Sequence, residues 1–596
     1  MSPFHRTFLA ALSGSLLAGS VRAEVVPDAY VKASNTGSED NFGFSMAISG
    51  DTLVIGAPGE ASSGIGPNDG QADDSRSGSG AVYVYARSGG AWSLQAYLKA
   101  SNPGAGDGFG TSVAIDGDTL IVGAPGEDSN ATGVNGAQGN NSANNAGAAY
   151  VFFRLGSIWG QQAYLKASNT SPTSIQRFGA SVSVSGDLAV VGSPDESSSS
   201  QGVGGDQNNQ GASNAGAAYV FARDGFTWSQ QAYIKASNTG DGDQFGSTVA
   251  LSGLTLAVAA RGEDSNATGV NGLQNNNAST DAGAVYVFAF ANNTWTQQAY
   301  LKASNTGTGD RFGHSLALDG NTLLVGARDE DGANAGPNAA GSNNGAAEAG
   351  AAYVFVREGN LWSQQASLKS SRPIAGDRFG FSVDLSGNTA IVGAVGEDRS
   401  ATGVGGDQIN GTASNSGAAY LFSRTGSAWS ESAYLKASNT GASDCFGSSV
   451  AHDGEFSAVG AAAIFLTGDF SEILFGEDSA ATGIDGDGSD NSADDSGAAY
   501  TFRSLPSPAL VPRLSARGET LLRVVRPRVT LRGTSTNADV VFFQSDGSGF
   551  RKIKGRVSPW KIPLRLEKAR TVVKVRATGP GGTSRILKFV VIRSSG

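Results

Sequence analysis

Apolar and polar residues alternate in short runs along most of this chain, and the runs come in sets of four. In one set, FGTSVAID, DTLIVGAP, GAAYVFFR and IWGQQAYLKAS are bounded by Gly, Asn and Asp and place apolar residues at alternate positions. A period of two marks a strand, so each set predicts four antiparallel strands. The first two are joined by Asp116-Gly117, or by Ser-Gly in sister sets, and glycine accepts the positive φ of a tight hairpin without steric cost.

The set repeats. A Phe-Gly pair falls at Phe42, Phe109, Phe178, Phe245, Phe312, Phe379 and Phe446, at intervals of 67, 69, 67, 67, 67 and 67. A Gly-Ala-[Ala/Val]-Tyr segment begins 38 residues after the Phe in six copies, at Gly80, Gly147, Gly216, Gly283, Gly350 and Gly417, and 51 residues after it in the seventh, at Gly497. A fixed period of this size predicts an array in which each unit buries its faces against its neighbours. The repeated Phe and Tyr are therefore expected in the core between units.

The two ends of the array predict a ring. A Trp followed by a YLKAS-type strand occurs at Trp92, Trp159, Trp228, Trp295, Trp362 and Trp429, but the seventh unit stops at Gly497-Ala-Ala-Tyr-Thr-Phe502 without one. The missing copy, Tyr30-Val-Lys-Ala-Ser34, stands alone ahead of the first unit. Joining this strand to the last unit removes two sheet edges that would otherwise pair with other chains. The expected fold is all-β: a seven-bladed β-propeller of four antiparallel strands per blade, closed by the N-terminal strand.

Composition supports many short strands and turns, with 85 glycines and only 16% charged residues. A single cysteine, Cys445, excludes an intrachain disulfide. The first 23 residues read as a secretory leader: His5 and Arg6, an apolar stretch from Phe8 to Ala18, and Val21-Arg22-Ala23 before a mature start at Glu24. No later run is long enough for a transmembrane span, so a secreted or cell-envelope location is expected.

Charge is unevenly divided. From Leu505 onward 19 Lys and Arg face 4 Asp and Glu, a surplus of +15, which leaves −26 for the preceding residues of a chain whose net charge is −11. Pro506, Pro508 and Pro512 mark a stiff linker over 504–512 between a propeller at 24–503 and a C-terminal part at 513–596. In that part VVRPRVTLRGTS, DVVFFQSD, WKIPLRL, TVVKVRAT and RILKFVVIR predict a small β-sandwich. Arg523, Arg526, Arg528 and Arg532, with Lys574 and Arg576, give it a basic face. VTLRGTS through Trp560 to TVVKVRATGPGGTS resembles bacterial Ig-like modules. An anionic surface polymer is the expected partner of the basic face, and nucleic acid is not expected.

Phe109-Gly110 followed by Val122-Gly123-Ala124-Pro125, and Phe42-Gly43 by Ile55-Gly56-Ala57-Pro58, resemble the FG-GAP repeats of integrin α-subunit heads. Sister copies relax the second element to VGSP at Val191, VGAR at Val325 and VGAV at Val392. The resemblance implies a propeller and, in many members, a calcium loop between the first two strands of a blade. Here those connections are turns such as Ser49-Gly50-Asp51 and Asp319-Gly320-Asn321, too short to gather six to eight oxygen ligands, so these calcium sites do not carry over.

Candidate binding residues fall on one face. The blade-to-blade turns carry Asp107, Asp243, Asp310 and Asp377, and the exits of the second strands carry Glu127-Asp128, Glu263-Asp264 and Glu397-Asp398. Two readings stand side by side: turn-forming, solvated carboxylates, or a carboxylate ring that binds cations or a basic partner. In the last copy Asp485, Asp487, Asp490 and Asp494 are the place for a Ca2+ site. The 13-residue insertion there carries AAIFLTGDFSEILF, for which packing or docking is expected. His314, His452 and Cys445 lack partners at catalytic spacing, so the chain is read as no enzyme. The expected function is an exported binding or adhesion protein taking a protein or glycan ligand on its loop face. The alternatives are a structural scaffold of a cell-surface or secretion assembly and an accessory propeller associated with a secreted hydrolase.

Overall fold

The computed structural model describes residues 24–338, 343–465 and 473–505, and in the C-terminal part the strands between Arg513 and Arg593. One compact unit spans Val25–Ser504, and the chain from Leu505 belongs to a second. The first holds seven four-stranded antiparallel sheets, each a blade. Blade 2 runs Ser112–Asp116, Thr119–Ala124, Ala148–Leu155 and Ile158–Leu165, paired in that order. Blade 7 is completed from the other end of the chain: Glu24–Val31 pairs with Ala498–Leu505, which pairs with Phe456–Ala461 and then Phe446–His452. The seven-bladed ring is thus closed by the orphan strand, as the repeat predicts.

The middle strands depart from simple alternation. All six residues of Thr119–Ala124 and the first five of Ala148–Leu155 are buried. Each blade is covered on both faces by its neighbours, so both sets of side chains must be apolar or small, as in a sheet between two layers. Alternation survives at the outer strand, where Trp159 is buried between exposed Ile158 and Gly160.

Seven seams form the core. In each, the Phe of Phe-Gly meets the Tyr of Gly-Ala-[Ala/Val]-Tyr in a tilted or edge contact: Phe109 and Tyr150 have ring centroids 5.4 Å apart, and Phe446 and Tyr500 lie at 5.3 Å. Such pairs contribute about 0.5–1.5 kcal/mol beyond their buried area. The glycines of the repeat mark backbone contact between blades. A Cβ on Gly110, at φ +98°, would lie 2.6 Å from the Ala81 carbonyl, and one on Gly123 only 2.0 Å from that of Gly179. Both positions require glycine because a neighbouring blade occupies the side-chain volume. The Gly179 oxygen also accepts a hydrogen bond from Ser112 at 2.8 Å, which fastens blade 2 to blade 3.

In the C-terminal unit, Arg513–Ser515, Arg528–Thr536 and Trp560–Arg565 form one sheet. Thr520–Val524, Leu587–Arg593, Arg570–Gly579, Val540–Ser545 and Arg551–Lys552 form the path of a second. This unit is all-β; the basic face expected for it rests on side chains outside the described residues. The leader expected at 1–23 and most of the 504–512 linker also lie outside them. The insertion appears as a short pairing of Ile464–Phe465 with Ile473–Leu474, and residues 466–472 lie outside the described set. No described helix is long and apolar enough to cross a membrane.

Deleting residues 24–31 leaves Ala498–Leu505 as an open edge and both flanking seams half covered. The shortened protein is expected to elute as aggregate in size-exclusion chromatography and to lose its cooperative thermal transition. A monomeric variant with an unchanged melting temperature would contradict the closed ring.

Candidate functional site

The carboxylates of the loop face are built into the fold. Each blade contains a lysine, from the YLKAS-type segment, whose Nζ donates to the glutamate at the exit of the second strand. The pairs are Lys32–Glu477, Lys99–Glu60, Lys166–Glu127, Lys235–Glu196, Lys302–Glu263, Lys369–Glu330 and Lys436–Glu397, at 2.6–2.9 Å. Every one of these side chains is at most 5% exposed. The second oxygen of Glu127 accepts from Tyr164 at 2.8 Å and from Asn102 at 2.9 Å; Asn102 arrives from the preceding blade and accepts in turn from Tyr150. Burial pulls the pKa of Lys166 and Lys302 below the ordinary value, and the facing glutamate opposes it.

This overturns the expectation of an open carboxylate ring. Glu127, Glu263 and Glu397 are interior, each neutralised by its own lysine, because a carboxylate withdrawn from water needs a cation and donors around it. Asp128, Asp264 and Asp398 are each held by a backbone N–H seventeen residues on, from Asn145, Asp281 and Asn415, at 2.8, 2.9 and 2.8 Å. Asp107, Asp243, Asp310 and Asp377 are buried in their turns and accept from the N–H three residues back, of Gly104, Gly240, Gly307 and Ile374. Burial pushes Asp107 up to about 6 and Asp243, Asp310 and Asp377 up to about 7. The turn-forming reading of these residues fits the geometry; the solvation expected of the exit glutamates does not.

The aspartates at which a calcium site is expected in the last copy have other partners in this geometry. Asp485 Oδ1 accepts the Tyr30 N–H at 3.1 Å, and Asp487 Oδ1 accepts from Ser489 at 2.6 Å. Asp490 and Asp494 are joined to the fold through their backbone carbonyls, with Ala480 and Glu39 as donors. Among the described residues no three His, Cys, Asp or Glu side chains converge at metal-binding distance.

The concave site lies on the ring axis. The innermost strands line a narrow axial cavity of about 250 Å³ with Ala47, Ala114, Ser183, Ala250, Ala317 and Asp384. At one end a wider cavity of about 680 Å³ opens, bordered by three rings of equivalent positions. The residue after the Phe-Gly contributes from six of the seven blades, as Phe44, Thr111, Ala180, His314, Phe381 and Ser448. The residue before the Phe contributes Arg177, Gln244 and Arg311, each in the left-handed region at φ 49–56°. The last position of the GAP element contributes Pro125, Arg261 and Arg328. Ile464, at the base of the insertion, completes the wall.

Four guanidinium groups therefore face one cavity. Asp329 serves both Arg311 and Arg328, at 3.1 and 3.2 Å, and lies 3.9 Å from Arg378, which also pairs with Glu348 at 2.8 Å. Arg177 pairs with Asp195 at 3.3 Å. Arg261 has no carboxylate within 4 Å among the described residues; its Nε donates to Gln244 at 2.7 Å. Burial first, and then the charges of Arg328 and Arg311, push its pKa down to about 10. His314 packs on Phe381 at 4.9 Å, with Nδ1 buried and without a described partner; its pKa is held well below the ordinary value by burial and the same arginines.

The seam at this site is irregular. In six blades a glycine admits the next blade's Phe-Gly carbonyl, but the fourth has Ala259, whose methyl fills that space. The fastening bond shifts by one residue: Thr248 donates to the His314 carbonyl at 3.0 Å, where its counterpart Ser112 donates to the glycine. The motif departures VAAR and VGAR, together with Arg177 and Arg311, are the sequence signal for this cavity, and reading the repeat as a consensus hides it. The other nucleophile and base candidates are structural. Cys445 is fully buried with its thiol pushed up by burial, and His452 is bonded to Thr389 at 2.7 Å and to the Phe456 carbonyl.

A family model described as FG-GAP repeat matches residues 28–85, 92–152, 159–221, 228–288, 295–355, 362–422 and 429–468. Each complete match starts on an outer strand and runs into the next blade, the same phase in which the orphan strand opens the array. No curated protein matches the chain.

Lys302→Ala strands Glu263 in the interior and is expected to cost about 3–5 kcal/mol in equilibrium urea unfolding. Asp118→Ala, which breaks a pair whose carboxylate is 55% exposed, should cost under about 1 kcal/mol. The buried turn aspartates set a pH dependence. Unfolded aspartate titrates near 4, and folded Asp40, Asp243, Asp310, Asp377 and Asp444 near 7, so between those values the folded chain holds more protons. Their contribution falls as pH rises through 7. The melting temperature is expected to be higher at pH 5 than at pH 8, and Asp310→Asn, which keeps an acceptor for the Gly307 N–H, should narrow that difference.

Proposed function

The chain belongs to the FG-GAP repeat family, and from that premise we propose that it is an exported, non-enzymatic binding protein whose ligand seats at the channel mouth of the propeller. The single observation that carries this reading is where the repeat departs from itself. Turn aspartates, exit glutamates, lysines and seam aromatics recur from blade to blade with internal partners. Arg261, Arg328, His314, Phe381 and Ala259 occupy positions that differ between blades, and all lie at or beside one cavity of about 680 Å³. That volume is within the range of small-molecule sites, at about 300–1,000 Å³. Structural repetition accounts for the first group and gives no reason for the second.

The remaining parts of the reading come from the sequence. Residues 1–23 act as a leader, which places the mature protein in the extracellular space or the cell envelope. The C-terminal unit is an Ig-like sandwich whose lysines and arginines hold the protein on an anionic surface polymer. The propeller then presents its mouth to a glycan or a protein.

Glycan and protein arrays probed with the purified protein test this reading. Saturable binding is expected for a defined subset of ligands and should persist in EDTA, because no acidic cluster of metal-binding geometry lies among the described residues. Absence of binding across both arrays would favour a structural scaffold instead. N-terminal sequencing of exported protein should begin at Glu24.

A further inference from the structure

We propose that Asn130 and Asn266 are glycan acceptors, modified on the side-chain amide nitrogen as the chain is exported. The inference rests on the export reading above and adds a modification that export permits.

The chain contains seven Asn-x-Ser/Thr triplets, and the fold sorts them. A transferase must grip the asparagine amide together with the hydroxyl two residues on. The amide must therefore be free of internal bonds, the hydroxyl must stand on the same side of the backbone, and the segment must lie outside a strand ladder. Asn169 fails at once: its amide donates to Glu196 and to the Gln207 carbonyl, and its oxygen accepts from Tyr219. Asn140 accepts from Ser142, whose hydroxyl is the one its own triplet would offer, and Asn410 donates to Asp407. Asn292 sits in a hairpin turn at φ 51°, and Thr294 of its triplet is paired with Ala291. In the triplet of Asn277 the hydroxyl residue, Ser279, is turned partly inward.

Asn130 and Asn266 meet all three conditions. Burial alternates along both segments: Ser129 and Ser265 are fully buried, Asn130 and Asn266 exposed, Ala131 and Ala267 8% and 9% exposed, and Thr132 and Thr268 exposed again. Alternation of this kind puts residues i and i+2 on one side of an extended chain, so amide and threonine face solvent together. The inward serines are anchors, sharing hydrogen bonds with the Tyr164 and Tyr300 hydroxyls at 2.7 and 2.8 Å. Neither asparagine side chain has a hydrogen bond among the described residues. Each is tied to a neighbouring loop residue, Asn140 or Asn276, through its backbone N–H at 3.1 Å. Neither segment lies in a strand.

The repeat gives no reason for asparagine at this place. Five sister copies carry Ser63, Ser199, Ala333, Ser400 and Ala480 there, so a side chain without bonds of its own is dispensable to the fold. The surrounding segment, Asp-Ser-Asn-Ala-Thr, is identical at 128–132 and 264–268, and no other triplet in the chain has an acid two residues ahead of its asparagine. Asp128 and Asp264 are each fixed by a backbone N–H, which sets a carboxylate beside each acceptor.

The donor class is an oligosaccharide carried on a polyprenyl pyrophosphate. The asparagine Nδ2 attacks the anomeric carbon and gives up one proton. The bond from that carbon to the pyrophosphate oxygen breaks, and the lipid pyrophosphate leaves with the electron pair. The product carries an N-glycosidic bond, and nothing is oxidised or reduced.

Intact-mass spectrometry and glycopeptide mapping of the protein secreted by the cell that makes it test the proposal. The mass is expected to exceed that of residues 24–596 by two glycans, one on Asn130 and one on Asn266, with Asn169 bare. Asn130→Gln and Asn266→Gln should each remove one glycan, and the double variant both. Thr132→Ala and Thr268→Ala should do the same with the acceptor still in place, a loss that a merely structural asparagine would not predict. All four side chains are exposed, so these variants should fold and be secreted as the parent is. Secreted protein that begins at Glu24 with both asparagines bare overturns the proposal and leaves export standing. Protein that keeps its leader, with both asparagines bare, overturns the two together. Glycans that survive both threonine substitutions also overturn it.

Discussion

A lysine ammonium and a glutamate carboxylate, held together away from water, recur in every blade, and the geometry of the loop face follows from them. Removing two charges from solvent is costly, and their attraction offsets that cost only when the remaining donors and acceptors are also satisfied. The sequence meets this demand with an asparagine from the preceding blade at six of the glutamates, with Arg399 in its place at Glu397, and with tyrosines such as Tyr164 and Tyr434. The exit loop of one strand, the outer strand of the same blade and the incoming chain are thereby tied at one point. A slip of a single residue in any of the three would leave a buried charge unpaired. The pair is therefore better described as a device that fixes register than as a source of net stability.

Closure extends the same logic to the ends of the array. Lys32 stands just beyond the orphan strand and Glu477 in the last blade, so the bond that fixes register elsewhere also joins the two ends of the propeller. Tyr30 adds a second bond to Glu477 at 2.7 Å and a ring contact with Tyr500 at 5.2 Å. The ring needs no covalent link because its closing blade is assembled from the same contacts as the others.

Much of this was legible in the residues. The 67-residue period, the seam aromatics and the permuted start each follow from a pattern that recurs, and recurrence is what a single sequence displays best. The roles of the carboxylates were less accessible. Glu127 and Lys166 are 39 residues apart, and Lys166 lies one residue past its strand, where strand periodicity no longer states which way a side chain points. The glutamate consequently reads as a solvated loop acid. The channel mouth was harder still, since its residues come from different blades and become neighbours only when the ring closes. Its signal consists of departures, such as Arg261 where sister copies have Pro58 and Pro125, and a motif read as a consensus averages departures away.

The pairing of Glu24–Val31 with Ala498–Leu505 also orders events during synthesis. The first strand leaves the ribosome more than 460 residues before its partner exists, while the blades between can form from contacts near in sequence. Until the last strand emerges, the nascent chain is an open arc with two unsatisfied borders, one of them mobile. The step that locks the whole circle is therefore the last one available to the chain.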